Sequence, residues 1–197
     1  MRGVWILSKK DEFIEIYNEN IKRHGADNLL KWLEKSDFFT APASTRYHGS
    51  FEGGLVEHSV NVYHCLKDYL SRERAKTVYN MDYSEETIAV AALLHDICKT
   101  NFYSVSTRNK KEDGKWVEVP FYTIDDKMPY GHGEKSVFMI QFFMRLEMDE
   151  AFAIRFHMGF SGPEDVNLIS RAFEMYPLAY ALHVADCEAT YFLEKSN

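Results

Sequence analysis

The sequence predicts an all-α protein, a bundle of about eight helices carrying one inserted β-hairpin. Apolar residues recur by steps of three and four through most of the 197 residues, whereas alternation by twos is confined to residues 102–126. The chain is also 46% hydrophobic and 15% aromatic, enough for one core. The expected organisation is a single domain over 1–197, with packing helices in 1–45, the core in 46–194 and the hairpin inserted at 102–126.

Asp11 to Arg23 carries Phe13, Ile14, Ile16, Tyr17 and Ile21 at helical spacing, and a second helix from Asp27 to Lys35, with Asp27 as its cap, repeats the pattern. Phe38 to Gly54 loses periodicity and reads as an ordered loop bearing Arg46, Tyr47 and His48. Gly54 to Arg74 is one amphipathic helix, with Leu55, His58, Val62, Cys65 and Tyr69 on a single stripe. The central helix, Thr87 to Ile97, is started by Ser84 and is apolar on every side, so it is expected to be buried.

Residues 102–126 are rich in Val, Phe and Tyr around the turn Glu112-Asp113-Gly114-Lys115, a hairpin pattern. Met128 to Gly133 reads as a turn. Helices then follow at Glu134 to Leu146, Asp149 to Met158, Asp165 to Met175 and Pro177 to Leu193, the last with proline in its first turn.

A formal charge of −7 and the lack of a Lys/Arg block argue against duplex DNA and anionic membranes as partners. The longest apolar runs fall short of the roughly 20 residues of a membrane span, and MRGVWILSKKDEF is too short in its apolar part for a signal peptide. Cys65, Cys98 and Cys187 are odd in number and lack CxxC spacing, which fits reduced thiols. A cytoplasmic protein is expected; the oligomeric state is left open.

The informative residues are the ionisable ones on apolar faces. His58 sits between Leu55 and Val62, His95 and Asp96 end the central helix, His157 follows Ala153 and Ile154, and Asp186 lies between Leu182 and Ala189. His132 stands between two glycines at a helix start, where backbone can approach a ligand. One buried histidine is ordinarily a hydrogen-bonded core residue. Four imidazoles and two carboxylates, if they converge, are most simply satisfied by one or two divalent cations.

In their order and contexts these residues resemble the HD-domain superfamily of metal-dependent phosphohydrolases: GGLVEHS at His58, LLHDICK at His95-Asp96, GHGEKS at His132, HMG at His157 and ALHVADCEAT at Asp186. The likeness runs from about Tyr47 to Leu193 and is greatest to bacterial and phage-type HD hydrolases and to the HD domain of 3′-5′ exoribonucleases. The sequence departs from it at Cys98, where the family often has glycine and where the thiol is expected only to fill the helix end, and in the hairpin. No nucleic-acid-binding module is seen ahead of the core, which makes long RNA a weaker expectation.

The resemblance implies an HD-domain helical bundle in which His58, His95, Asp96 and Asp186 hold one metal, His132 and His157 a second, and Asp96 bridges both. The imidazole-rich set suits Mn, Fe, Co, Ni or Zn better than Mg. The implied activity is hydrolysis of a phosphoester in a nucleotide or short oligonucleotide by a metal-activated water, with a diester slightly favoured. A nucleotide phosphomonoesterase or a non-catalytic metal- or nucleotide-binding module of the same fold are the alternatives. Asp96 and Lys99 are the expected catalytic residues. Lys99, Lys135, Arg46 and His48 are expected near the phosphate, and Tyr130 is the choice for stacking on a base. His183 is read either as orienting Asp186 or as a packed imidazole; His24 and His64 fall on the surface side.

Overall fold

The computed structural model describes residues 7–112, 114–162 and 164–194. Helix α1 (Lys9–Asn20) is capped by Ser8, whose side chain accepts the Asp11 N–H. Helix α2 (Ala26–Lys35) begins at Gly25, not at a capping Asp27, which lies inside the first turn. Gly25 has φ +92°, and a Cβ there would fall 1.8 Å from the Phe143 carbonyl oxygen, so neither the conformation nor the space admits a side chain.

Helix α3 (Gly54–Ser71) ends earlier than expected, because Arg72 is extended and a separate five-residue helix, α4 (Glu73–Thr77), follows. Helix α5 (Glu85–Leu94) is capped by Ser84, and every residue from Ile88 to Leu94 is buried. It stops one turn short of the expected Ile97, since Asp96 takes φ −106°, ψ 17° and a 3₁₀ turn, Ile97–Lys99, carries the chain away.

Strands β1 (Tyr103–Glu112) and β2 (Lys115–Ile124) pair antiparallel, Tyr103 opposite Ile124 and Glu112 opposite Lys115. The expected turn residue Asp113 lies outside the described residues. The main packing partner of each strand is the other, and Val105, Trp116 and Ile124 are exposed, so the hairpin stands off the bundle. The bonds at its base include one from the Tyr103 hydroxyl to the Ala43 carbonyl, 3.2 Å.

Helix α6 (His132–Gln141) already includes His132 and Gly133, which had read as turn. Helices α7 (Met148–Phe156), α8 (Val166–Met175) and α9 (Pro177–Glu188) complete the bundle. The last expected helix instead passes into a π-helical turn, Ala189–Leu193. Packed on α1, α3 and α7, α5 forms the centre of one apolar cluster, and α9 closes it against α3 and α7. Among the described residues no helix is long and apolar enough to cross a membrane.

One buried ion pair ties the N-terminal helices to the rest. The Arg23 guanidinium donates to both carboxylate oxygens of Glu150, at 2.6 and 2.7 Å, and Glu150 is fully buried at the start of α7. Removing one partner strands the other's charge in the core. Arg23→Ala is therefore expected to cost about 3 kcal/mol in urea unfolding. Adding Glu150→Gln should recover part of that loss, and an Arg23→Ala variant as stable as wild type would disprove the structural role.

Candidate metal centre

His95 and His157 are placed by the same device. Each is the residue that ends a buried helix, α5 or α7, and each donates its Nδ1–H to the carbonyl three residues back, Ala92 or Ile154, at 2.7 Å. The bond satisfies a helix-terminal carbonyl and leaves the Nε2 lone pair pointing onward. On α3, His58 has Nδ1 3.0 Å from Glu194 Oε2, and Glu194 also accepts from the Asn61 amide at 2.9 Å. At the start of α6, His132 has Nδ1 3.3 Å from Cys98 Sγ. All four imidazoles thus have a partner on Nδ1 and present Nε2 inward.

They converge on Asp96. Its Oδ1 is 2.8 Å from His132 Nε2 and 3.5 Å from His157 Nε2, while its Oδ2 is 3.5 Å from His95 Nε2 and 3.6 Å from His58 Nε2. Asp186 Oδ1 lies 3.2 Å from His58 Nε2. The ligand atoms form overlapping groups, among them His58–His95–Asp186, His95–Asp96–His157 and Asp96–Cys98–His132, any of which could hold a cation. Nitrogen and carboxylate donors gathered at this range are the donor set that divalent transition metals accept.

The charges are strongly coupled. Burial opposes ionisation of Asp96, yet Lys99, His95 and hydrogen bonds from His132 and His157 hold its pKa well below the ordinary value. Asp186 is likewise held low against burial by His58. Burial disfavours the His58 imidazolium, but Asp186 and Glu194 outweigh it and lift its pKa to about 10. His132 is raised to about 9 by Cys98 and Asp96 despite burial. In the metal-free protein, protons therefore hold part of the place a cation would take, and metal binding must displace them.

A cavity of about 400 Å³ opens on the cluster. It is lined by five of the six expected ligands, with His95 buried behind them, and by Lys99, whose Nζ donates to Asp96 Oδ2 at 2.6 Å. His48 also lines it. That ring is 4.9 Å from the His58 ring, its Nε2 is buried without a hydrogen-bond partner, and burial, then His58 and Lys99, lower its pKa. Arg46 is exposed and is not among the lining residues. Tyr130 and Lys135 line a smaller neighbouring cavity, where one face of Tyr130 is taken by a stack on Phe138. His24 and His64 are exposed, as read.

The structure supplies three things that spacing did not. His183 donates to the His157 carbonyl at 2.8 Å, so it braces that ligand's backbone and does not orient Asp186. Cys98 is more than filler, because its sulfur is the partner of His132. Glu194 reaches His58 because the π-helical turn, closed by Glu194 N–H to the Ala189 carbonyl, re-aims the chain end. Nothing in the sequence signals that five-residue turn.

A helical bundle that gathers histidines and aspartates from separate helices into one buried cluster defines a metal-binding class. Residues 55–189 match the HD domain family model, and the chain belongs to the HD-domain family, whose members bind divalent metals. It is similar to the dihydroneopterin 2′,3′-cyclic phosphate phosphodiesterase of Methanocaldococcus jannaschii, 34% identical over 88 residues. That stretch covers 43% of this chain and 31% of the relative, so the match spans about a third of the relative's length. No solved structure matches.

The Glu194 contact has a measurable consequence in metal-free protein. A histidine whose pKa rises from ~6.5 unfolded to about 10 folded stabilises fully below the lower value and loses that contribution as pH climbs through the upper one. Between these values the urea midpoint of the metal-free wild type should fall with pH, and Glu194→Gln should flatten the slope. Superimposable slopes would exclude Glu194 as a charge partner of His58.

Proposed function

We propose that this protein is a divalent-metal-dependent phosphohydrolase with a two-cation site, acting on a small phosphoester of the nucleotide or short-oligonucleotide class, with diesters preferred to monoesters. The observation that carries the reading is the division of Asp96: one carboxylate oxygen faces His58 and His95, the other His132 and His157. A carboxylate so divided suits a bridge between two cations. His58, His95, Asp96 and Asp186 would hold one, and His132, His157 and Asp96 the other. Bound there, such ions supply a water activated near neutral pH and positive charge opposite the phosphoryl oxygens. The imidazole-rich donors favour Mn, Fe, Co, Ni or Zn over Mg. The archaeal relative's name, a cyclic phosphate phosphodiesterase, supports a diester substrate.

This chain's own residues have separate tasks. Asp96 holds the two halves in register. Among the described residues Asp96 is the carboxylate within ion-pair distance of Lys99, so with Asp96 turned to cations the Lys99 ammonium is left for a phosphate oxygen. Burial works against that ammonium, but in the metal-free protein Asp96 and Tyr103 more than offset it and raise its pKa. His48, whose pKa is lowered by burial and then by His58 and Lys99, lines the same cavity with its Nε2 buried and without a hydrogen-bond partner.

Elemental analysis of protein purified without chelator, paired with hydrolysis of bis-p-nitrophenyl and p-nitrophenyl phosphate, tests the reading. Metal bound to wild type and lost in Asp96→Ala, together with faster diester cleavage, is the expected result. Lys99→Ala should keep its metal while kcat falls on the order of 100-fold. Full metal and full activity in Asp96→Ala would sink the assignment. Cys98→Ala removes the Nδ1 partner of His132 and is expected to weaken metal binding in that half by about 10- to 100-fold, with Cys98→Ser restoring part of it. Identical metal titrations for both variants and wild type would leave Cys98 as packing alone.

A further inference from the structure

Beside the metal-cluster cavity lies a second one of about 150 Å³, sharing Lys99 and His132 with it and extending to Lys135, Asp126, Phe102 and Tyr130. At ~30 Å³ per liquid water it has room for a phosphate-sized group. Lys135 is its unusual member. The residue is 6% exposed and sits in the first turn of α6, where the helix dipole disfavours a cation. Its ammonium lies 4.7 Å over the Phe102 ring and pairs with Asp126. Asp126 is the one carboxylate among the described residues lining this space, and it also accepts the Met128 N–H at 3.0 Å. Asp126 is 30% exposed and follows β2 in the return from the hairpin, with solvent on its open side.

Each lysine has a carboxylate partner in the metal-free protein, Lys99 with Asp96 and Lys135 with Asp126. An excess of positive charge arises when Asp96 is engaged by cations, because Lys99 then loses its neutraliser. A poorly solvated pair of ammonium groups calls for an anion. We propose that this cavity is a subsite for a second anionic group of the substrate, so that the protein acts on phosphoesters bearing a further phosphate-sized anion. Asp126 fills the place of that anion in the free protein. The inference rests on the phosphohydrolase reading above.

Calorimetric titration of the metal-loaded protein with adenosine 3′,5′-bisphosphate and with adenosine 5′-monophosphate tests it as a ratio of affinities. Wild type is expected to bind the bisphosphate about tenfold more tightly, the effect of one charge-assisted contact. Lys135→Ala should bring the ratio close to one, Lys135→Arg should keep it, and Asp126→Asn, which retains an acceptor for Met128, should raise it. Thermal unfolding of each variant reads the structural role separately. A ratio near one in wild type, or one that Lys135→Ala and Asp126→Asn leave unmoved, overturns the subsite while sparing the phosphohydrolase. Failure of both nucleotides to bind to protein that carries its metal overturns the reading beneath it, and the subsite with it.

Discussion

The constraint on which the rest of the structure depends is the carboxylate of Asp96, 2% exposed and ionised at the end of the most buried helix. An unpaired charge there would cost several kcal/mol, a large part of the stability of an ordinary domain. The fold answers by bringing a partner from each surrounding element: His58 from α3, Lys99 from the following turn, His132 from α6 and His157 from α7. Each of the three imidazoles is then held on its far side, His157 by a helix carbonyl, His58 by Glu194 and His132 by Cys98. The bundle packs apolar helices around this group, and the polar network dictates where those helices end.

Much of this was legible in the sequence. An all-round apolar helix ending in His95-Asp96 is a burial statement that periodicity makes by itself, and it placed α5 at the centre correctly. The six ionisable residues on apolar faces do meet. Their convergence was not legible, because helical spacing reports which face a residue occupies and says nothing of which helices are neighbours; the order of motifs along the chain supplied that. The errors fall where local backbone departs from a regular helix. Arg72 breaks α3 from α4, Asp96 ends α5 a turn early, and the π-helical turn carries Glu194 back to His58. None of these departures changes the hydrophobic pattern, so none leaves a trace in it.

The hairpin shows the same limit from the other side. Its alternation was plain, and so was its place between Lys99 and His132. An isolated two-stranded ribbon is marginal in water. Here it is tied at the base by Tyr103 to Ala43 and continues directly into Asp126, the counter-charge of Lys135. The insertion thus contributes its two ends to the cleft, one carrying the residues after the metal cluster and the other the carboxylate in the second cavity, whatever the exposed strands themselves contact.

The helix directions give the cleft a polarity that side-chain charges reinforce. The C-terminal ends of α5 and α7 abut the cluster through His95 and His157, and a helix C-terminus carries partial negative charge. The N-terminal end of α6 enters through His132, with Gly131 contributing no side-chain cap, and that end carries partial positive charge. Cations are therefore favoured on the α5 and α7 side and anions toward α6, where Lys135 stands. Lys99 lines both cavities and marks the boundary between them. A phosphate held by cations on one side needs positive charge on the other, and this arrangement provides it from backbone and side chains together. The free carbonyls of a helix C-terminus also explain why two of the imidazoles sit at helix ends: there a ring can bond to a terminal carbonyl and still turn its other nitrogen into the site.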